Sequence, residues 1–141
     1  MSVISVAPDF AVAPQVRLEE LPQIAAAGYR LLINNRPDGE AADQPSSEQM
    51  REAAAAAGLD YVFVPVRAPF TTADVEAMAA ALQANTGPAL AYCRSGTRSI
   101  TLWALAQALG GAAPDSLIRQ AKAAGYDLTD MSGALDRIAA R

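Results

Sequence analysis

The sequence contains no histidine and a single cysteine, Cys93, among 141 residues. The first absence excludes Ser-His-Asp and Cys-His pairings of nucleophile and base, and it removes the commonest nitrogen ligand of zinc. The second excludes an internal disulfide, and one thiol by itself suits a reducing cytoplasm, which is the location expected. Basic charge is also in short supply: 11 Lys and Arg against 15 Asp and Glu give a formal net charge of -4. A nucleic-acid partner, which needs a basic face, is therefore not expected. No apolar run is long enough to cross a bilayer, so no membrane partner is expected either. The stretch from Met1 to Phe10 lacks the basic start and apolar core of a secretion signal and holds Pro8 and Asp9. No cofactor and no metal are expected, and the sequence leaves the oligomeric state open.

What the chain has is alanine, within a hydrophobic content of 52%. Alanine enters helices at no side-chain entropy cost, so several packed helices are expected. The length suits one domain spanning residues 1–141. Short apolar runs alternate with alanine-rich stretches, the pattern of an α/β fold. Strands are expected at Phe10–Gln15 (an edge strand, because of Pro14), Tyr29–Asn34, Tyr61–Val66 and Pro88–Tyr92. Helices are expected at Leu18–Ala27, from Ser46 or Ser47 to Gly58, and at about Ala73–Ala84 with Thr72 as cap and Glu76 near the capping-box position. Three more follow: from Thr97 or Arg98 to the Gly110-Gly111 pair, Asp115–Ala124 and about Asp130–Ala140. Asp115, Asp127 and Asp130 read as caps.

Strands separated by helices imply a mostly parallel sheet covered on both faces, with ligands held outside the carboxyl ends of the strands. Two polar loops leave such ends: Asn35 to Glu40, and Cys93 to Ser99. The second reads Cys-Arg-Ser-Gly-Thr-Arg-Ser and runs from a buried strand directly into a helix. Backbone N–H groups of such a loop gather anions, the helix start adds a positive dipole end, and Arg94 and Arg98 add charge. A thiol in this field favours its thiolate form, and the same donors attract an incoming oxyanion. Gly96 permits a backbone angle that a side chain would oppose. Cys93 is therefore the expected nucleophile, although free cysteines are more often buried small hydrophobes.

The Cys93–Ser99 loop resembles the active-site loops of rhodanese sulfurtransferases and cysteine-dependent protein phosphatases. With the Asn35-Arg-Pro-Asp-Gly-Glu40 segment, residues 1 to about 112 resemble the beta-lactamase hydrolase-like proteins, phosphatase-like domain. That resemblance implies a fold similar to dual-specificity phosphatases, with a central, mostly parallel sheet of roughly four or five strands flanked by helices. Some members of the family are described as sulfur transferases.

The resemblance implies two chemistries. Phosphatases of this architecture carry a Cys-x5-Arg loop with glycine three residues after the cysteine. Gly96 matches, but the arginine is Arg98, one residue early, and Ser99 stands at the phosphatase position. Cys-x4-Arg is similar to the tighter rhodanese loop and leaves a smaller cradle. A phosphatase also needs an acid for the leaving oxygen, typically on the loop after the preceding strand. Here that loop reads Arg67-Ala68-Pro69-Phe70, and Asp74 beyond it belongs to a helix start. Asp38 is the substitute acid, against its reading as a turn residue in Pro-Asp-Gly. Arg36 either holds the anion or pairs with Glu40. Tyr92 replaces the histidine that phosphatases carry before the cysteine. Arg94, Ser95, Gly96, Thr97 and Ser99 complete the expected anion cradle, the two hydroxyl groups of Thr97 and Ser99 serving either the thiolate or the helix cap. Leu102, Trp103 and Leu105 belong to the core by helical spacing. The leading expectation is a Cys93-dependent phosphoester hydrolase with Arg98 and Asp38 as its catalytic partners. The alternatives are a sulfurtransferase that takes sulfane sulfur from thiosulfate or a persulfide, and a non-catalytic binder of an anion or phosphorylated partner.

Overall fold

The computed structural model describes residues 2–140. Five strands form one sheet: β1 (Ile4–Ala7), β2 (Phe10–Ala13), β3 (Leu31–Asn34), β4 (Asp60–Phe63) and β5 (Ala89–Tyr92). Their spatial order is β1-β2-β5-β3-β4. Only β1 runs antiparallel, folding back on β2, while β2, β5, β3 and β4 are mutually parallel. The helices are α1 (Leu21–Ala26), α2 (Ser47–Ala56), α3 (Thr72–Ala84), α4 (Thr97–Leu109), α5 (Pro114–Ala123) and α6 (Ser132–Ala139). Short 3-10 turns at Leu18–Glu20 and Thr129–Met131 precede α1 and α6.

Strand alternation divides the core in two. Phe10, Val12, Ile33 and Ala91 face one way, onto Met78 of α3, Ile100 and Trp103 of α4, Leu117 of α5 and Leu135 of α6. Leu32, Leu90 and Tyr92 face the other way, onto Leu21 and Ile24 of α1 and Met50 of α2. Phe10 and Trp103 stack with ring centroids 5.4 Å apart and planes within 5°. Leu102, Trp103 and Leu105 are all buried, as helical spacing requires. Every residue of β5 is buried, because neighbours cover both of its edges and both of its faces.

One expectation about the strands changes. The Phe10 strand is interior: residues 4–7, too short and too mixed to announce a strand, pair along it. Pro14 falls just past Ala13, where its missing N–H costs no ladder bond. The caps also shift. Thr71, rather than Thr72, caps α3, and Asp74, rather than Glu76, closes its capping box. Ser46 caps α2 with Gln49 as its reciprocal partner. Ala113 precedes α5 with no side-chain cap, so Asp115 lies inside the first turn. Asp130 likewise sits inside a 3-10 turn, and Asp127 lies one residue before the cap position, Leu128, where its side chain closes a local turn by accepting from the Thr129 N–H at 2.9 Å.

Candidate active site at the end of the central strand

β5 ends at the middle of the sheet's carboxyl edge. In register with Tyr92 lie Ala13 of β2 and Asn34 of β3. The loops that follow these three strands therefore emerge side by side. Two bonds prolong the pairing: Asn35 N–H to the Tyr92 carbonyl at 2.9 Å, and Cys93 N–H to the Ala13 carbonyl at 3.4 Å. The Asn35 side chain donates to the Val64 carbonyl at 3.0 Å, tying the loop after β4 to the same edge.

Cys93 is fully buried at the base of the turn that leads into α4. The Gly96 N–H points back at its sulfur, 3.1 Å from Sγ. Gly96 occupies the cap position of α4 with φ of +90°, a left-handed conformation that costs glycine little. Space is as restrictive as angle: a Cβ at this position would collide with the Tyr126 hydroxyl. The positive end of a 13-residue helix thus stands behind the thiol.

Arg98, in the first turn of α4, faces Glu40 from the loop after β3. Its Nη1 and Nη2 donate to Glu40 Oε2 and Oε1 at 2.9 and 2.8 Å, and Nη1 also donates to the Val66 carbonyl at 3.1 Å. Arg36 approaches the same carboxylate, its Nε 3.0 Å from Oε1, and gives Nη1 to Gln15 Oε1 at 2.9 Å. Glu40 is accordingly drawn down to about 2, chiefly by the Arg98 hydrogen bond, against the opposing effect of burial and with help from Arg36. Arg98 is held above its ordinary value, first by Glu40 and further by Cys93 beside it. A guanidinium carries five N–H donors. Arg98 commits three to Glu40 and Val66, which leaves two uncommitted to them.

The other expected site residues are placed as follows. Asp38 is exposed, and its Oδ1 accepts from the Ser47 N–H at 2.8 Å, at the start of α2. Arg94 is exposed and, with Arg36 and Gln15, lines an open cavity of about 500 Å³ beside the loop. Ser95 and Thr97 are exposed, with their hydroxyl oxygens 3.1 Å apart. Ser99 lies inside α4, buried and without a hydrogen-bond partner for its hydroxyl, so the capping position is not its own. Tyr92 is buried with its hydroxyl likewise unpartnered, and burial pushes its ionisation far up. Among the described residues no cluster of three or more potential metal ligands occurs.

Two residues escape sequence reasoning. Tyr61 ties the end of β3 to the start of α2: its hydroxyl accepts from Asn34 Nδ2 at 3.0 Å and lies 2.7 Å from Ser47 Oγ. Tyr126, from the turn after α5, donates its hydroxyl to the Ser95 carbonyl at 3.0 Å. Only Gly125 preceding it, a helix-stop residue, offered a signal.

The comparisons decide the family. Residues 3–110 match the model of the beta-lactamase hydrolase-like protein, phosphatase-like domain. The chain belongs to this family. A beta-lactamase hydrolase-like protein of Agrobacterium fabrum is 37% identical over 97% of the chain. The chain spans only 32% of that relative's length. A crystal structure from Neisseria meningitidis Z2491, of a protein provisionally named a phosphatase, is 34% identical with a TM-score of 0.84, covering 98% of this chain and 99% of that one. The kinase associated phosphatase, crystallised with its catalytic site cysteine replaced by serine, is similar in fold at 15% identity and a TM-score of 0.74, covering 99% and 96%. This phosphatase-like domain therefore has a cysteine-phosphatase-like fold.

Proposed function

We propose that the domain is a cysteine-dependent phosphatase-like hydrolase whose nucleophile is Cys93. The observation that carries this reading is the Gly96 N–H directed at Cys93 Sγ from the amino end of α4. Backbone donors so placed stabilise a thiolate without a histidine. The thiolate attacks phosphorus, the bond to the leaving oxygen breaks with its electron pair, and a cysteinyl phosphate forms. Water then attacks phosphorus, returning the electron pair to sulfur and releasing inorganic phosphate. The two free N–H groups of Arg98, with the loop amides from Arg94 to Thr97, serve the phosphoryl oxygens, as charge-assisted bonds do. Arg94 attracts the anion at the mouth. Arg36 acts through Glu40.

Protonation of the leaving oxygen limits the substrates. Asp38 is tethered through Oδ1 to the Ser47 amide, and the loop after β4 supplies no carboxylate. Aryl phosphates, whose leaving oxygens need least help, are the preferred class. Fixed general acids contribute on the order of 100-fold or more, so aryl phosphates should outpace alkyl phosphates by at least that factor. The test is turnover of both classes by the parent protein and by Cys93→Ser. Loss of all turnover in the serine variant is expected. Turnover that survives the substitution would contradict a thiolate mechanism.

The same scarcity of an acid favours a second reading, sulfur transfer. Cys93 would attack the outer sulfur of thiosulfate, the S–S bond would break with its electron pair on departing sulfite, and a persulfide would remain on Cys93. That step needs no proton donor. A mass gain of one sulfur on Cys93, without aryl phosphate turnover, would establish it over phosphate chemistry.

A further inference from the structure

Tyr126 lies beyond the family-matched residues 3–110 and yet touches the loop that holds the thiol. Its phenol ends against Gly96, and its hydroxyl donates to the carbonyl of Ser95 at 3.0 Å. That carbonyl belongs to the same peptide unit as the Gly96 N–H, which lies 3.1 Å from Cys93 Sγ. The two hydrogen bonds therefore act at opposite ends of one planar group.

We propose that Tyr126 is a positioning residue for the nucleophile, holding the Ser95–Gly96 peptide plane so that its N–H stays on Cys93 Sγ. The inference rests on the reading of Cys93 as nucleophile. Two effects act together. A donor on the carbonyl oxygen polarises the amide and strengthens its N–H as a donor, the ordinary cooperativity of hydrogen-bond chains. The bond also fixes the plane at the residue where the backbone is freest, since glycine tolerates conformations on both sides of the φ map. With the plane turned over, the carbonyl oxygen would replace the N–H and repel a thiolate.

Tyr126 is itself held firmly enough for this task. α5 ends in a left-handed glycine, Gly125, with φ of +97°. The Gly125 N–H bonds the Lys122 carbonyl at 2.9 Å and the Tyr126 N–H bonds the Ala121 carbonyl at 2.9 Å, the paired pattern of a Schellman cap. On the other side, Asp127 closes a turn onto Thr129, and Leu128 is buried in the core. Burial raises the pKa of the Tyr126 phenol, with Cys93 adding to the effect, so the hydroxyl stays a donor at neutral pH.

The experiment is the pH titration of the thiolate by its ultraviolet absorbance, in the parent and in Tyr126→Phe, each read as the difference from its own Cys93→Ser counterpart. It requires neither turnover nor access of a reagent to the buried sulfur. Tyr126→Phe keeps the ring and removes one oxygen, so the thermal melt should stay within a few degrees of the parent. The titration midpoint should move to higher pH, by about a threefold change in the ionisation constant, with the two proteins converging in alkali, as the loss of one relayed hydrogen bond predicts. Superimposed titrations would overturn the role of Tyr126 while leaving Cys93 as nucleophile. A parent thiol that ionises only in strong alkali would overturn both.

Discussion

Glu40 stands between two guanidinium groups, and its carboxylate determines how many donors each has left. Replacing it with glutamine leaves Arg36, nearly buried at 5% side-chain exposure, and Arg98 facing each other without a shared anion. Breaking such a pair from one side is costly, and partial exposure moderates the loss to about 2–3 kcal/mol at neutral pH. The pH dependence has a definite sign. A carboxylate whose folded value is drawn from 4.5 to about 2 contributes stability that is complete above pH 4.5 and lost as pH falls toward 2. Urea unfolding of the parent and of Glu40→Gln should therefore show a stability gap that narrows between neutral pH and about pH 2.5. A constant gap would show that the ion pairs contribute nothing. At the same scale, Arg98→Ala should weaken inhibition by inorganic phosphate at least about tenfold, and Arg94→Ala less than about threefold, because only Arg98 is fixed beside the thiol. Equal losses would mean that the loop uses the wrong arginine in this account. The Cys93, Gly96 and Arg98 positions were legible in the sequence because they are neighbours in the chain. The Arg98–Glu40 bond was not, since it joins residues 58 positions apart.

The elements that build the site are a strand, a turn and a helix, and each carries its own signal. Alanine-rich runs that end at Gly28 and Gly58 made α1 and α2 readable, and both glycines take positive φ. β5 was readable as an apolar run bounded by Pro88 and Cys93. β1 was not, because four residues with mixed burial have no periodicity to detect, and only pairing with β2 makes them a strand. Caps were ambiguous wherever two hydroxyl residues stood together, as at Thr71-Thr72 and Ser46-Ser47, since the choice depends on backbone angles. Ser46→Ala should cost about 1 kcal/mol in a denaturant titration, the usual loss for a helix cap. Ser47→Ala removes no capping bond but loses the 2.7 Å contact with the Tyr61 hydroxyl. The two serines are therefore compared in a Tyr61→Phe background, where a larger loss from Ser47→Ala than from Ser46→Ala would reassign the cap. Gly125→Ala should also cost about 1 kcal/mol by forcing a side chain into left-handed backbone. An unchanged midpoint would mean that the cap below Tyr126 is not maintained in solution.

At the scale of the whole molecule, the sheet gathers three loops at one edge, while helices cover both of its faces. α5, α6 and the turn between them bring Leu117, Leu128 and Leu135 to the core. Leucine truncations in cores cost about 2–5 kcal/mol each, so removing all residues after Gly111 should abolish cooperative unfolding in a thermal melt. A cooperative melt at the parent temperature would show that the segment is an accessory to the fold. The central claim concerns the bond that Cys93 forms, and the most direct measurement is its mass after acid quench of the protein with an aryl phosphate, beside Cys93→Ser. The account predicts a phosphoryl group on Cys93 in the parent and no adduct in the variant. A free, unmodified thiol in the parent while aryl phosphate is being turned over would contradict it.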